Sequence, residues 1–246
     1  MIFHKLDSKL SYSVNKPIRF TPLGIISKEQ KELSLDFSCE MTYGSGAHRD
    51  HRSGGTYSRN LYEIFINTLQ GKLSEFAVFE QLKLIGLSID PPDLQTFGLG
   101  VWDQTDLIAN DKKINIKSTK HFGNLLLFEC KDWNDQGEYI PNLITGNSHY
   151  DIFIFVRLKF EIDALKSSYP SKDNFLQELK SKVLETEIEY DIPGFILNED
   201  LVAVIALKHK IIKDAYINDR SKIDADNYYV QAGDLRPINT LINYIE

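Results

Sequence analysis

An aspartate, an asparagine and a lysine lie close together in the run Asp106-Leu-Ile-Ala-Asn-Asp-Lys-Lys-Ile-Asn115-Ile-Lys117. Two short strand-like stretches, Asp106–Ala109 and Lys113–Thr119, flank a polar Asn110-Asp-Lys turn, so the run reads as a hairpin. Side chains alternate along a strand, which puts Asn115 and Lys117 on one face and Ile114 and Ile116 on the other. Pairing across the hairpin then brings Asp106 beside them. Carboxylate and amide oxygens suit a hard cation such as Mg2+, and a lysine can orient or deprotonate water. That is the equipment of metal-assisted phosphodiester hydrolysis. The plainer alternative is a solvated ion pair between Asp106 and Lys117. Asp93, which follows Pro92, and Asp103 compete for the carboxylate position. Asp106 is preferred because it opens a paired strand, whereas Asp93 falls in a proline and glycine loop.

Elements on either side must hold this hairpin. Leu61, Ile64, Phe65, Leu69, Phe76, Phe79, Leu82 and Leu84 recur at helical spacing after Ser58, a residue able to cap; Gly71 leaves one bent helix or two. Tyr150 to Leu158 is β-branched and aromatic, apolar on both faces through its middle, and is expected as a central strand covered on both sides. Leu125 to Phe128 is a short apolar run of open type. Helices are expected over 173–187 and after Asn198, the latter with Leu201, Val204, Ile205 and Ile211 inward and Lys208, His209, Lys210 and Lys213 on its solvated face. Tyr228-Tyr-Val-Gln is expected at a sheet edge, and residues 1–40 suggest no role. The glycine-rich stretch 42–57 is a loop carrying His48, Arg49, His51 and Arg52, types that contact phosphates or guanine edges. Lys120, leaving the active strand, is a further candidate phosphate contact. Cys39 with His48 and His51 lacks standard zinc spacing and a fourth ligand. Trp102 and Trp133 are expected to fill the core. The mixture of strands and helices gives an α/β or α+β class.

The 246 residues make one domain or one with elaborations, and 42% hydrophobic with 26% charged residues is an ordinary globular mixture. A net charge of −7, from 28 basic and 35 acidic side chains, argues against a protein that coats nucleic acid through many phosphate contacts, while permitting a basic patch in a cleft. No apolar run is long enough for a membrane span, the N-terminus lacks an apolar signal-peptide core, and two cysteines make no disulfide framework. These features lead us to expect a cytoplasmic protein without a membrane partner.

The hairpin resembles the PD-(D/E)XK nuclease superfamily, in which an Asp and a (D/E)-X-K triplet lie on adjacent strands of a mixed sheet. The likeness covers about residues 60–160. It includes Gly71-Lys-Leu-Ser-Glu75, where the family's preceding helix often supplies a metal-binding Glu, and Tyr150 to Leu158, which fits the following core strand. Asp226-Asn-Tyr-Tyr-Val-Gln-Ala-Gly-Asp-Leu-Arg-Pro is similar to a segment of type II restriction endonucleases. The resemblance implies a restriction-endonuclease-like mixed central sheet flanked by helices in a single domain over 1–246. Its nuclease core would lie at about 58–160, with 1–57 and 161–246 as recognition or dimerisation elaborations. It implies catalytic roles for Asp106, Asn115, Lys117 and Glu75, with Asp106, Glu75 and Asn115 as Mg2+ ligands. It further implies cleavage of double-stranded DNA, a homodimer on palindromic sites, and a cognate DNA methyltransferase as genetic partner. The departure is Asn115, where the family carries a carboxylate: an amide oxygen ligates Mg2+ but brings no charge. A structure-selective repair nuclease and a non-catalytic DNA-binding module with a decayed site are the other readings.

Overall fold

The structure, a computed structural model, describes residues 1–6, 9–44, 60–95, 105–161 and 172–245. In chain order these residues form strands β1 (Ile2–Leu6), β2 (Lys9–Ser13) and β3 (Gly24–Ile25), then helices α1 (Lys28–Tyr43) and α2 (Leu61–Leu84). Strands β4 (Leu107–Ala109), β5 (Lys112–Lys120), β6 (Leu125–Glu129) and β7 (Ile152–Lys159) follow, then α3 (Lys172–Glu185), β8 (Glu189–Leu197) and α4 (Asn198–Ala206). The chain closes through β9 (Lys210–Ile211), β10 (Tyr216–Ile217), β11 (Ser221–Lys222), β12 (Asn227–Gln231) and a 3-10 turn at Ile238–Tyr244. The class is α+β.

A five-stranded mixed sheet of order β3-β8-β7-β5-β4 forms the middle layer. β7 is central because both its faces are apolar, as its composition predicts. Ile152, Ile154, Val156 and Leu158 pack toward α1, α2 and α3, with Leu69, Leu73, Val78, Leu179 and Val183 opposite. Phe153 and Phe155 point the other way, toward Phe128, Trp133, Ile196 and Leu201. Each fully buried leucine in such a layer contributes about 2 kcal/mol by leaving water. The second layer, over the Phe153 face, is a three-stranded sheet of order β6-β12-β9 together with α4. A four-stranded sheet of order β1-β2-β10-β11 adjoins it. Among the described residues no helix is long and apolar enough to cross a membrane.

α2 is a single helix. Gly71 lies on a face with no neighbour near enough to meet an added Cβ, so its cost is only that of weak propensity. Asn60 caps it, in a reciprocal box with Glu63, in place of the expected Ser58, which lies outside the described residues. β12 is the middle strand of its sheet, not an edge, because β6 pairs along its whole length on one side and β9 pairs with Asn227 and Tyr228 on the other. α4 ends at Ala206, so Ile211 is a strand residue and Lys208, His209, Lys210 and Lys213 are not on a helix. Lys210 instead pairs with Asp226 at 2.8 Å. Asn198 donates to the Gly137 carbonyl, and the amide that opens α4, from Leu197, is taken by the Asp200 carboxylate.

A buried ion pair fixes the sheet. Arg157 on β7 is 0% exposed and Asp191 on β8 is 4% exposed. Arg157 Nε and Nη2 donate to the two carboxylate oxygens at 2.8 and 2.5 Å. Its Nη1 donates to the Ile18 and Gly123 carbonyls and to Asn124 Oδ1. This one side chain thus ties the N-terminal segment and the β5–β6 turn to the central strand.

Candidate active site

The hairpin forms as its sequence dictates. Asn110 and Asp111 occupy the two turn positions with φ of 45° and 63°, the left-handed pair that a two-residue hairpin loop needs. The register is Ala109 to Lys112 and Leu107 to Ile114, which puts Asp106 just beyond the ladder. There its Oδ2 accepts the Ile116 amide at 2.5 Å, so the carboxylate extends the strand pairing by one hydrogen bond. β5 runs parallel to β7 with Asn115 opposite Phe153 and Lys117 opposite Phe155. Both therefore face away from the helices, while Ile114 and Ile116 pack toward them. Asp106 and Lys117 come within electrostatic reach of each other.

Burial disfavours charge on both members. It pushes the Asp106 carboxyl above the usual carboxylate range, against the Ile116 amide and the ammonium groups of Lys117 and Lys72, which pull it down. It pulls the Lys117 ammonium below the ordinary lysine value, against Asp106, Asp132 and Glu129, which hold its charge. A lysine so placed gives up its proton more readily than a surface lysine, as a base must.

Glu75 lies on α2, on the opposite side of the sheet from Lys117. Its Oε2 is 2.6 Å from Lys72 Nζ, three residues back on the same helix. Lys72 is 3% exposed, donates also to the Asp93 carbonyl at 2.7 Å, and sits 4.4 Å from the Phe37 ring centre. The structure thus joins Glu75 to the site through Lys72, whose field reaches Asp106. The rival Asp93 serves a turn: its carbonyl takes Lys72 and its side chain takes the Gln95 amide. Asp103 and Trp102 lie outside the described residues, as do His48, Arg49, His51 and Arg52. Lys120 is exposed at the end of β5. Cys39, on α1, packs half-buried against the helix side of the core, with its thiol pushed up by burial.

Two carboxylates that sequence reasoning did not single out face Lys117. A cleft of about 400 Å3 opens between β5 and β6, lined by Lys117, Glu129, Asp132, Trp133, Phe155 and Asn227 among others. Glu129 ends β6, and Asp132, 7% exposed, ends the 3-10 turn Cys130–Asp132 that follows. Trp133 is both core and wall. Its ring packs on Phe128 and Phe153 at 5.5 and 5.2 Å, and Lys117 Nζ lies 5.9 Å from its centre. The available signal was alternation: if Leu125 to Glu129 is a strand, Leu125, Leu127 and Glu129 share a face. Comparison of the chain with protein-family models, curated proteins and solved structures finds no match.

The donor set fits a hard cation. Asn115 Oδ1 is buried with no hydrogen-bond partner, an oxygen on the face of Lys117 whose burial is otherwise a cost. Asp106 adds a carboxylate one strand away. Among the described residues no three His, Cys, Asp or Glu side chains converge to hold a metal by themselves, so an ion at this site would keep several waters, as Mg2+ commonly does.

Proposed function

We propose that this chain is a Mg2+-dependent, sequence-specific endonuclease of double-stranded DNA, of the type II restriction kind, yielding 5′-phosphate and 3′-hydroxyl ends. One observation carries the reading: Asp106, held to β5 by the Ile116 amide just beyond the hairpin ladder, lies within electrostatic reach of Lys117, with the unpartnered Asn115 oxygen on the face of Lys117. Asp106 and Asn115 would hold the cation, which supplies Lewis-acid polarisation of the phosphate and a more acidic water. Lys117 Nζ takes the proton of the attacking water, and the carboxylates around it hold the ammonium that results. That ammonium then offsets charge gathering on the pentacovalent phosphate. Lys72 and Glu75 keep Asp106 in a fixed field from the other side of the sheet. Lys120 and the arginines of 42–57 are the proposed phosphate and base contacts. A net charge of −7 keeps nonspecific affinity low and leaves selectivity to the cleft. A palindromic site implies a homodimer, and a cognate methyltransferase would protect host DNA in the cytoplasm, where such an enzyme works.

The test is incubation of the purified chain with unmethylated bacteriophage DNA and Mg2+, beside Lys117→Ala. Discrete fragments from the wild type alone support the reading. Equal smearing from both identifies a contaminant. Intact DNA in both lanes rejects site-specific cutting and turns the assay to branched substrates. Binding without cutting on any substrate returns the function to a DNA-binding module, the reading that an uncharged Asn115 favours.

A further inference from the structure

The ring of Phe122 is held out in water by the structure behind it. Phe122 is 67% exposed, in the turn 121–124 that joins β5 to β6. A single exposed apolar side chain needs no explanation by itself. This one is buttressed. Its ring meets His121 edge-on at 5.2 Å, His121 meets Phe20 edge-on at 5.8 Å, and the Phe20 ring lies 5.7 Å from the buried Arg157 guanidinium. The backbone beneath is fixed as well: His121 donates to the Leu158 carbonyl, Gly123 donates to the Lys120 carbonyl, and Arg157 donates to the Gly123 carbonyl. A ring supported in this way is preorganised, so little order remains to be imposed when a ligand lands on it.

The surroundings name the guest. Ile18 donates to Asn124, so segment 14–22 runs beside the turn. That segment and 118–124 hold Lys16, Arg19, Lys120 and His121 and no Asp or Glu, in a chain of net charge −7. Asp191 and Asp234, which bond to the first segment, are matched by Arg157 and Lys16. Arg19 and Lys120 are exposed. The turn also closes one end of the cleft, where Thr119 and Leu125 are the lining residues on either side of it. Lys120 stands three residues from Lys117 along β5, about 10 Å, which is about the rise of three base steps of one DNA strand. A ring for a base, with cations for the phosphates beside it, is a pairing that DNA-binding surfaces use.

Resting on the DNA-cleaving reading above, we infer that Phe122 stacks on a base of the bound DNA at the end of the cleft, with Arg19 and Lys120 on the neighbouring phosphates. In a duplex, such a ring enters a base step and opens it.

Duplex binding tests this without cleavage. A fluorescein-labelled duplex of mixed sequence is titrated with the full chain in EDTA at several salt concentrations, and binding is read by anisotropy. Phe122→Ala is expected to weaken binding about fivefold or more at every salt concentration, the worth of one base stacked on an aromatic ring, and to leave the slope of log K against log salt unchanged. Phe122→Trp should keep the affinity and Phe122→Leu should not, because a flat ring is what stacks. Arg19→Gln and Lys120→Gln should each flatten the slope by about 0.9, one phosphate contact apiece. Near-ultraviolet circular dichroism of each variant reports whether the fold is intact. Wild-type affinity in Phe122→Ala would overturn the inference, as would a wild type that binds no duplex; discrete cleavage of bacteriophage DNA would in either case leave the nuclease reading standing. A Phe122→Ala variant that sediments as a smaller species, yet binds duplex as the wild type does, would also overturn it and assign the ring to a contact between copies of the chain. The expected losses in a chain that cuts no DNA would reject the nuclease reading and leave this inference in place.

Discussion

Arg157→Met should be among the most destabilising single changes in the chain. The substitution keeps an unbranched side chain of similar reach and removes five hydrogen bonds: two to Asp191 and one each to the Ile18 carbonyl, the Gly123 carbonyl and Asn124. Asp191, 4% exposed, is left with the Thr21 amide at 3.0 Å and no cation. Breaking a buried pair from one side costs about 3–5 kcal/mol, because the remaining charge is uncompensated. Total stabilities of about 5–15 kcal/mol make that a large share. In urea, with a slope of about 2.5 kcal/mol per molar, the midpoint should fall by about 1–2 M at unchanged slope. Arg157→Met combined with Asp191→Leu should be more stable than Arg157→Met alone, since it removes the stranded charge. A single-variant loss under about 1 kcal/mol, or a double variant less stable than the single, would refute the reasoning and show that water or a rearranged side chain compensates Asp191.

Other expectations follow from the same geometry. Lys117→Ala should abolish DNA cleavage while leaving the circular dichroism spectrum intact. Asp106→Asn should unfold at a higher urea concentration than wild type at pH 7. The folded carboxyl is held above its unfolded range, so its contribution is full below the unfolded value and is lost as pH rises through the folded one; the variant's advantage should shrink as pH falls toward 4. Gly194 has φ of 153°, and an added Cβ would run into the Arg236 carbonyl oxygen that accepts the Phe195 amide. Gly194→Ala should therefore cost about 1–3 kcal/mol by thermal unfolding. Asn60→Ala removes the cap of α2 and should cost about 1 kcal/mol in the same assay.

The parts of the fold legible in sequence were those whose signal is local. Asn110 and Asp111 announce a tight hairpin by residue type, and Ile152 to Val156 announces a buried strand because no side chain in it wants water. α1 was not legible: its inward face is Lys31, Ser34, Leu35 and Ser38, with no apolar stripe to reveal it. Lys31 is buried there because its ammonium caps the end of α3 through the Leu184 and Thr186 carbonyls, a partner 150 residues away in the chain. At the site, Asp106, Asn115 and Lys117 follow from strand alternation within twelve residues. Glu129 and Asp132 do not, since β6 takes its position from pairing with β12, a hundred residues later. That pairing also put Tyr228 and Val230 in a middle strand, partly buried against the Phe153 side of the core, where their alternation suggested an edge.

The β5–β6 connection spans only residues 121–124, and Arg157 grips it at Gly123 and Asn124. The opposite lip runs from Lys222, the last residue of β11, to Asp224; β11 is held by β10, and β10 by β2, through ladders of two residue pairs each. Stiffness is therefore unequal around the cleft. Amide protons along β5 and β7 should exchange with solvent only through global unfolding, and those near β10 and β11 through far cheaper local opening. A guest too bulky for the space as it stands meets a hard floor and a yielding lip. It is accommodated by strain in a peripheral ribbon, and the separation between Lys117 and the end of β6 is left undisturbed.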